Sequence, residues 1–191
     1  MAKDTCLAIV DVQNDFCPGG ALAVPGGDEV IPVINSWIRR FQEAGSPIAY
    51  TQDWHPKNHC SFRENGGIWP PHHCVQRTRG AEFHPDLVVD GTIFRKGFLP
   101  DKEAYSGFDG TLDGKLGNPA LGQWLRENGV KCLYVGGLAT DYCVKAAVLD
   151  GIKEGFQVIL IRQGIRAVNV NTGDGDRAIE EMVESGAQVY G

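Results

Sequence analysis

Apolar positions along the chain fall into two alternating patterns. Residues 5–12 (TCLAIVDV) form a continuous apolar run, as expected of a strand covered on both faces. Residues 27–45 then carry Val30, Ile31, Ile34, Trp37, Ile38 and Phe41 at helical spacing, and Gly45 follows as a stop. The alternation continues to the end. Residues 47–53 (PIAYTQD), 91–97 (GTIFRKG), 131–138 (KCLYVGGL), 156–162 (FQVILIR) and 187–191 (AQVYG) read as strands. Residues 118–129, 140–155 and 174–186 read as helices, the second with Thr140 or Asp141 at its cap. Repeated β-α-β units predict an α/β fold in three layers, α-β-α, with a mainly parallel sheet of about six strands. One domain spans 1–191. The stretch from His55 to about Asp90 breaks the pattern. It is rich in Pro, Gly, His and Cys, and a loop of that length in a compact domain is usually functional or disordered; its Trp, His and Cys favour function.

The 191 residues suffice for one sizeable core and are few for two. A formal net charge of -6 argues against a nucleic-acid footprint and against binding to anionic membranes. No apolar run approaches the ~20 residues of a membrane span. The first residues carry acids on both sides of a short apolar run and do not read as an export signal, so the cytoplasm is the expected compartment. Cys6, Cys17, Cys60, Cys74, Cys132 and Cys143 include no CxxC pair, and reduced thiols are expected, with Cys6 and Cys132 in the core. The sequence leaves open whether copies of the chain assemble into a homo-oligomer.

Open parallel sheets bind ligands at the carboxyl ends of their strands. Asp11 ends the first predicted strand, Asp53 and His55 follow the second, Lys96 ends the third, and Cys143 follows the fourth. Asp53 and His55, two apart, share a face in extended chain and could hold one cation, with a third ligand from His72, His73 or Cys74. Carboxylate and imidazole suit zinc, iron or manganese alike. Cys143 sits in the first turn of a helix, where N–H groups and the dipole lower a thiol pKa. With Asp11 as base and Lys96 as cation, the set suits acyl transfer, and free N–H groups at the helix start would make an oxyanion hole.

Four segments carry a resemblance: DVQNDFCPGGAL, TQDWHPKNHCSF, WPPHHCVQRTRGAEFHPDL with FRKG, and AYSGFDG through GLATDYCVKAAVLDG. Together they resemble the nicotinamidase branch of the isochorismatase-like cysteine hydrolases, in the family's order over nearly the whole chain. The resemblance implies an Asp11–Lys96–Cys143 triad working through a thioester, a cis peptide between Leu138 and Ala139, and the N–H groups of Ala139 and Cys143 as oxyanion donors. It implies one divalent transition metal on Asp53, His55 and His73, with His59, Ser61 and Glu64 as further candidates for an outer or fourth ligand. Phe16 and Trp69 match ring-pocket positions, and Tyr105 and Tyr142 border them. The implied substrate is a small molecule, nicotinamide, with pyrazinamide as a second, in NAD salvage.

Two other readings are weighed beside this one. Another small amide is the nearer alternative within the same superfamily. A non-haem Fe(II) oxygenase could use two His and a carboxylate, but it would sit on a β-sandwich and leave Lys96 and Cys143 unexplained.

Overall fold

The computed structural model describes residues 4–69 and 72–191. Its centre is one sheet built from β1 (Thr5–Val10), β2 (Ile48–Asp53), β3 (Thr92–Lys96), β4 (Thr111–Leu112), β5 (Cys132–Leu138), β6 (Gln157–Arg166) and β7 (Gln188–Tyr190). The order across the sheet is β4-β3-β2-β1-β5-β6-β7, parallel except for the antiparallel pair β3–β4. The sheet therefore has seven strands, one more than the apolar runs predict. The added strand is two residues long and lies at the edge, where pairing with Phe94 and Arg95 defines it and no apolar run announces it.

Among the described residues four α-helices cover the sheet: α1 (Val30–Ala44), α2 (Leu121–Glu127), α3 (Lys145–Lys153) and α4 (Asp174–Glu184). Each strand residue chooses a face by alternation. In β1, Leu7 and Ile9 join the core under α1, together with Ile34, Ile38 and Phe41. Cys6, Ala8 and Val10 join the opposite core, with Leu121 and Leu125 of α2, Val148 of α3 and Met182 of α4. All six apolar positions predicted for α1 are buried, and Gly45 closes the helix at φ 63°. A Cβ at that left-handed position would be disfavoured, so the glycine suits the stop.

The chain moves outward from β1 to β2, β3 and β4, then returns to the other side of β1 as β5. The strand order thus reverses at the β1/β5 boundary, the place where an open α/β sheet leaves a crevice. The turn after β5 carries a cis Leu138–Ala139 peptide and then a π-helical turn, Thr140–Val144, that leads into α3. The cap expected of Thr140 or Asp141 is absent: Ala139 holds the cap position without a side-chain bond. The Asp141 carboxylate instead accepts the N–H groups of Val168 (2.9 Å) and Asn169 (2.8 Å). No helix among the described residues is long and apolar enough to cross a membrane.

Candidate active site

Strand register brings the first charged pair together. Asp53 and Lys96 are direct partners at the carboxyl ends of β2 and β3. Lys96 is fully buried, and its ammonium donates to Asp53 Oδ1 and to the carbonyl of Ala104 (3.2 Å). The same nitrogen lies 2.9 Å from Asp11 Oδ2 and 3.4 Å from Cys143 Sγ. One lysine therefore touches a residue from each of three strand ends.

Asp11 leaves β1 in the left-handed region, φ 47°, and is fully buried. Thr51 donates its hydroxyl to Asp11 Oδ1 at 2.6 Å. Oδ2 has the ion-pair contact with Lys96 but no well-directed hydrogen bond among the described residues. A carboxylate oxygen of Asp11, one of Asp53 and the Cys143 sulfur all lie within 4.8 Å of one another.

The electrostatics overturn one expectation. The helix start was expected to lower the Cys143 thiol pKa. Burial instead pushes it well up; Lys96 pulls it down, while Asp11 and Asp53 push it further up. Burial also raises Asp11, against the pull of Lys96. Burial would raise Asp53 too, but Lys96 and His55 outweigh it and hold that carboxyl below the usual range. Asp11 and Asp53 hold the Lys96 ammonium charged against its own desolvation. A thiolate added to two carboxylates would leave two uncompensated buried charges around one lysine. Burial of this set therefore favours the neutral thiol.

The second cluster holds Asp53, His55 and His73, all buried, each offering a ligand atom within 4.8 Å of the others. His55 Nδ1 is bonded to the Gly97 carbonyl at 2.9 Å, which leaves Nε2 facing Asp53 Oδ2 at 3.5 Å. That second bond fixes the ring as outer partners of metal-bound histidines do. One carboxylate and two imidazoles fit a divalent transition metal. Of the other metal candidates, none joins this cluster. His59 stacks on His55, but its Nδ1 is taken by Ser61 Oγ (2.7 Å) and its Nε2 by the Lys102 carbonyl (3.1 Å). Burial, then the charge of His55, push His59 down to about 4. Ser61 is occupied by His59, and Glu64 pairs at the surface with His72 (3.2 Å). Of the two adjacent histidines, His73 points inward and His72 does not.

Between the clusters opens a cleft with about 360 Å³ of space between atoms. The aromatic residues Phe16, Trp69, Tyr105 and Tyr142 line it together with Asp53, His73, Ala139 and Cys143. The Trp69 indole donates to Tyr105 Oη at 3.2 Å and meets the Tyr142 ring edge-on at 5.0 Å. Thr51, Leu22, Val24 and Val168 also belong to the site and escape sequence reading. Thr51 had a signal, lying two residues before Asp53 and so on its face. Val168 had none, because contacts distant in sequence hold its loop at the cleft, among them the bonds that Val168 N–H and Asn169 N–H donate to the Asp141 carboxylate.

The Isochorismatase domain matches residues 5–191. The chain belongs to the isochorismatase family. It is 42% identical over 200 residues to the nicotinamidase of Escherichia coli strain K12, covering 96% of this chain and 93% of that one. The structure of the pyrazinamidase of Pyrococcus horikoshii in complex with zinc is similar at TM-score 0.87 and 49% identity, covering 98% of each chain. PnC1 from L. infantum, in complex with nicotinate, is similar at TM-score 0.85 and 34% identity, over 98% of this chain and 92% of that one. Membership in the isochorismatase family and a parallel sheet leave the oxygenase reading without support.

Proposed function

We propose that this protein is a nicotinamidase: it hydrolyses nicotinamide to nicotinate and ammonia, and pyrazinamide as a second substrate, in NAD salvage. The observation that carries the mechanism is the buried Lys96 ammonium, 2.9 Å from Asp11 Oδ2 and 3.4 Å from the buried Cys143 sulfur. The similarity to the E. coli nicotinamidase and to the nicotinate-bound L. infantum protein supports the choice of substrate.

In this reading the carboxamide enters the aromatic cleft with its carbonyl carbon over Cys143. Asp11 takes the thiol proton and Sγ attacks the carbon, forming the C–S bond. Lys96 offsets the charge that this transfer creates and holds Asp11 and Asp53 apart. The N–H groups of Ala139 and Cys143 receive the oxyanion. Asp11 returns its proton to the leaving nitrogen, the C–N bond breaks and ammonia departs. Asp11 then draws a proton from water, the hydroxyl adds to the thioester, and the acid leaves as Sγ regains a proton. Asp53, His55 and His73 would hold one divalent ion, which supplies an anchor for a pyridine ring nitrogen. The zinc in the P. horikoshii neighbour favours zinc among the three metals that suit the ligands.

Ammonia release from nicotinamide, wild type beside Cys143→Ala, tests this. Turnover in the wild type and its loss by at least ~10³-fold in the variant is the expected result. Full activity in Cys143→Ala would refute the nucleophile. Absence of release by folded, metal-loaded wild type would refute nicotinamide as substrate.

A further inference from the structure

The loop that follows β1 holds more than the base. Gln13 is fully buried, and its side-chain amide spans the main chain of Asp53: Oε1 accepts the Asp53 N–H at 2.8 Å, and Nε2 donates to the Asp53 carbonyl at 2.9 Å. Nε2 also donates to the carbonyl of Ala81 at 2.9 Å. A side chain thus takes the place of a neighbouring strand, just where β2 ends and its last residue must aim a carboxylate.

Asp15, two residues on, acts on the other side of the cluster. Its Oδ2 accepts the N–H of Cys74 at 2.7 Å, and its Oδ1 accepts the N–H of Ala21 at 3.1 Å. Cys74 directly follows His73 and stands in the left-handed region, φ 47°. Its carbonyl receives the His55 N–H at 2.9 Å. The Asp15 carboxylate packs so closely on Gly80 that a Cβ there would lie 2.0 Å from Oδ2. Cys74, the residue after His73, is therefore held on its N–H by a carboxylate from the β1 loop and on its carbonyl by the main chain of His55.

We propose that Gln13 and Asp15 are positioning residues of the cation site, Gln13 by fixing Asp53 and Asp15 by fixing His73. Neither offers the ion a ligand atom. Each holds the backbone of a residue that does, so the loop carrying Asp11 also sets the spacing of the Asp53, His55 and His73 donor atoms. Outer partners of this kind typically govern ~10–100-fold of metal affinity.

This inference rests on the proposed divalent-ion site. The test is a zinc titration of chelator-stripped protein against a competing chromophoric chelator, on wild type, Gln13→Met and Asp15→Asn. The melting temperature of each metal-free protein is recorded alongside. A zinc dissociation constant raised at least fivefold assigns the residue its role; one within fivefold of wild type removes that residue from it. A merely structural role would lower the metal-free melting temperature and leave the zinc constant in place. Should Gln13→Met fail to fold, Gln13→Glu, which keeps the acceptor for the Asp53 N–H and loses both donated bonds, decides the case for Gln13. The wild type and Asp53→Ala separate the two ideas: no zinc bound by wild type would refute the ion site itself, whereas wild-type binding lost in Asp53→Ala but kept in both test variants would refute only the positioning roles.

Discussion

Lys96 shows how much one side chain can hold in place. Its ammonium is fully buried yet never without an anion, since Asp11 and Asp53 flank it and the Cys143 sulfur completes the contact. Lys96→Met would keep most of the volume and leave two buried carboxylates facing one another. Removing one partner of a buried ion pair costs ~3–5 kcal/mol, so Lys96→Met should melt well below wild type. Under the proposed mechanism turnover should fall by ~10³-fold or more, because the proton leaving Cys143 would go to an Asp11 already driven to keep one. Thermal melts and steady-state ammonia release would check both, and a variant with wild-type turnover would contradict the role given to the lysine. Sequence reading identified Lys96, Asp11 and Cys143 as residues at strand ends. It misjudged the direction of the Cys143 shift, because a helix start is visible in sequence and desolvation is not.

At the scale of elements, the β1–β5 boundary matters most. Val10 and Gly137 are register partners on those strands. Gly137 has φ 127°, and a Cβ there would lie 2.0 Å from the Val10 carbonyl oxygen. The obstacle is backbone, so Gly137→Ala must part the two strands whose ends present Asp11 and the turn to Cys143. Overpacking and a conformation that suits glycine together predict a loss of ~2 kcal/mol or more. Under the proposed mechanism, displacing Cys143 from Asp11 by even ~1 Å predicts a ~100-fold lower kcat/KM. Urea unfolding and steady-state kinetics would read the two effects, and wild-type values in both would contradict this account of the glycine. The strong apolar runs of β1, β2, β5 and β6 were legible because both faces are buried. Strand β4 was not, being two residues defined by pairing alone. The π-helical turn at Thr140–Val144 was not legible either; residues 140–155 read simply as a helix.

Across the whole molecule, two cores sandwich the sheet, and titratable groups lie in and beside them. Burial pushes Cys6 to about 12, Cys17 to about 11, and Tyr50 and Tyr105 to about 12. In the unfolded chain the thiols lose their protons near 9 and the tyrosines near 10. The stability tied to these groups is fully present below about pH 9. It is lost as pH rises toward the folded values, because the unfolded chain sheds protons that the folded one keeps. The melting temperature should therefore fall steadily between pH 9 and 11, and Cys6→Ala should flatten that fall while lowering stability at neutral pH. A melting temperature constant over that range would contradict the burial assigned to these groups. The sequence by itself determined the layered α/β architecture, since hydrophobic periodicity follows from which faces are covered. It also determined which strand ends carry Asp11, Asp53, Lys96 and Cys143, since topology sends parallel strand ends to one side. Only the tertiary structure decided that His73 rather than His72 faces Asp53, and that His59, Ser61 and Glu64 turn elsewhere. It alone showed that Gln13 and Asp15 grip the backbone around the donor cluster. The grips of Gln13 and Asp15 are hydrogen bonds between segments some 40 to 60 residues apart, which no local pattern encodes.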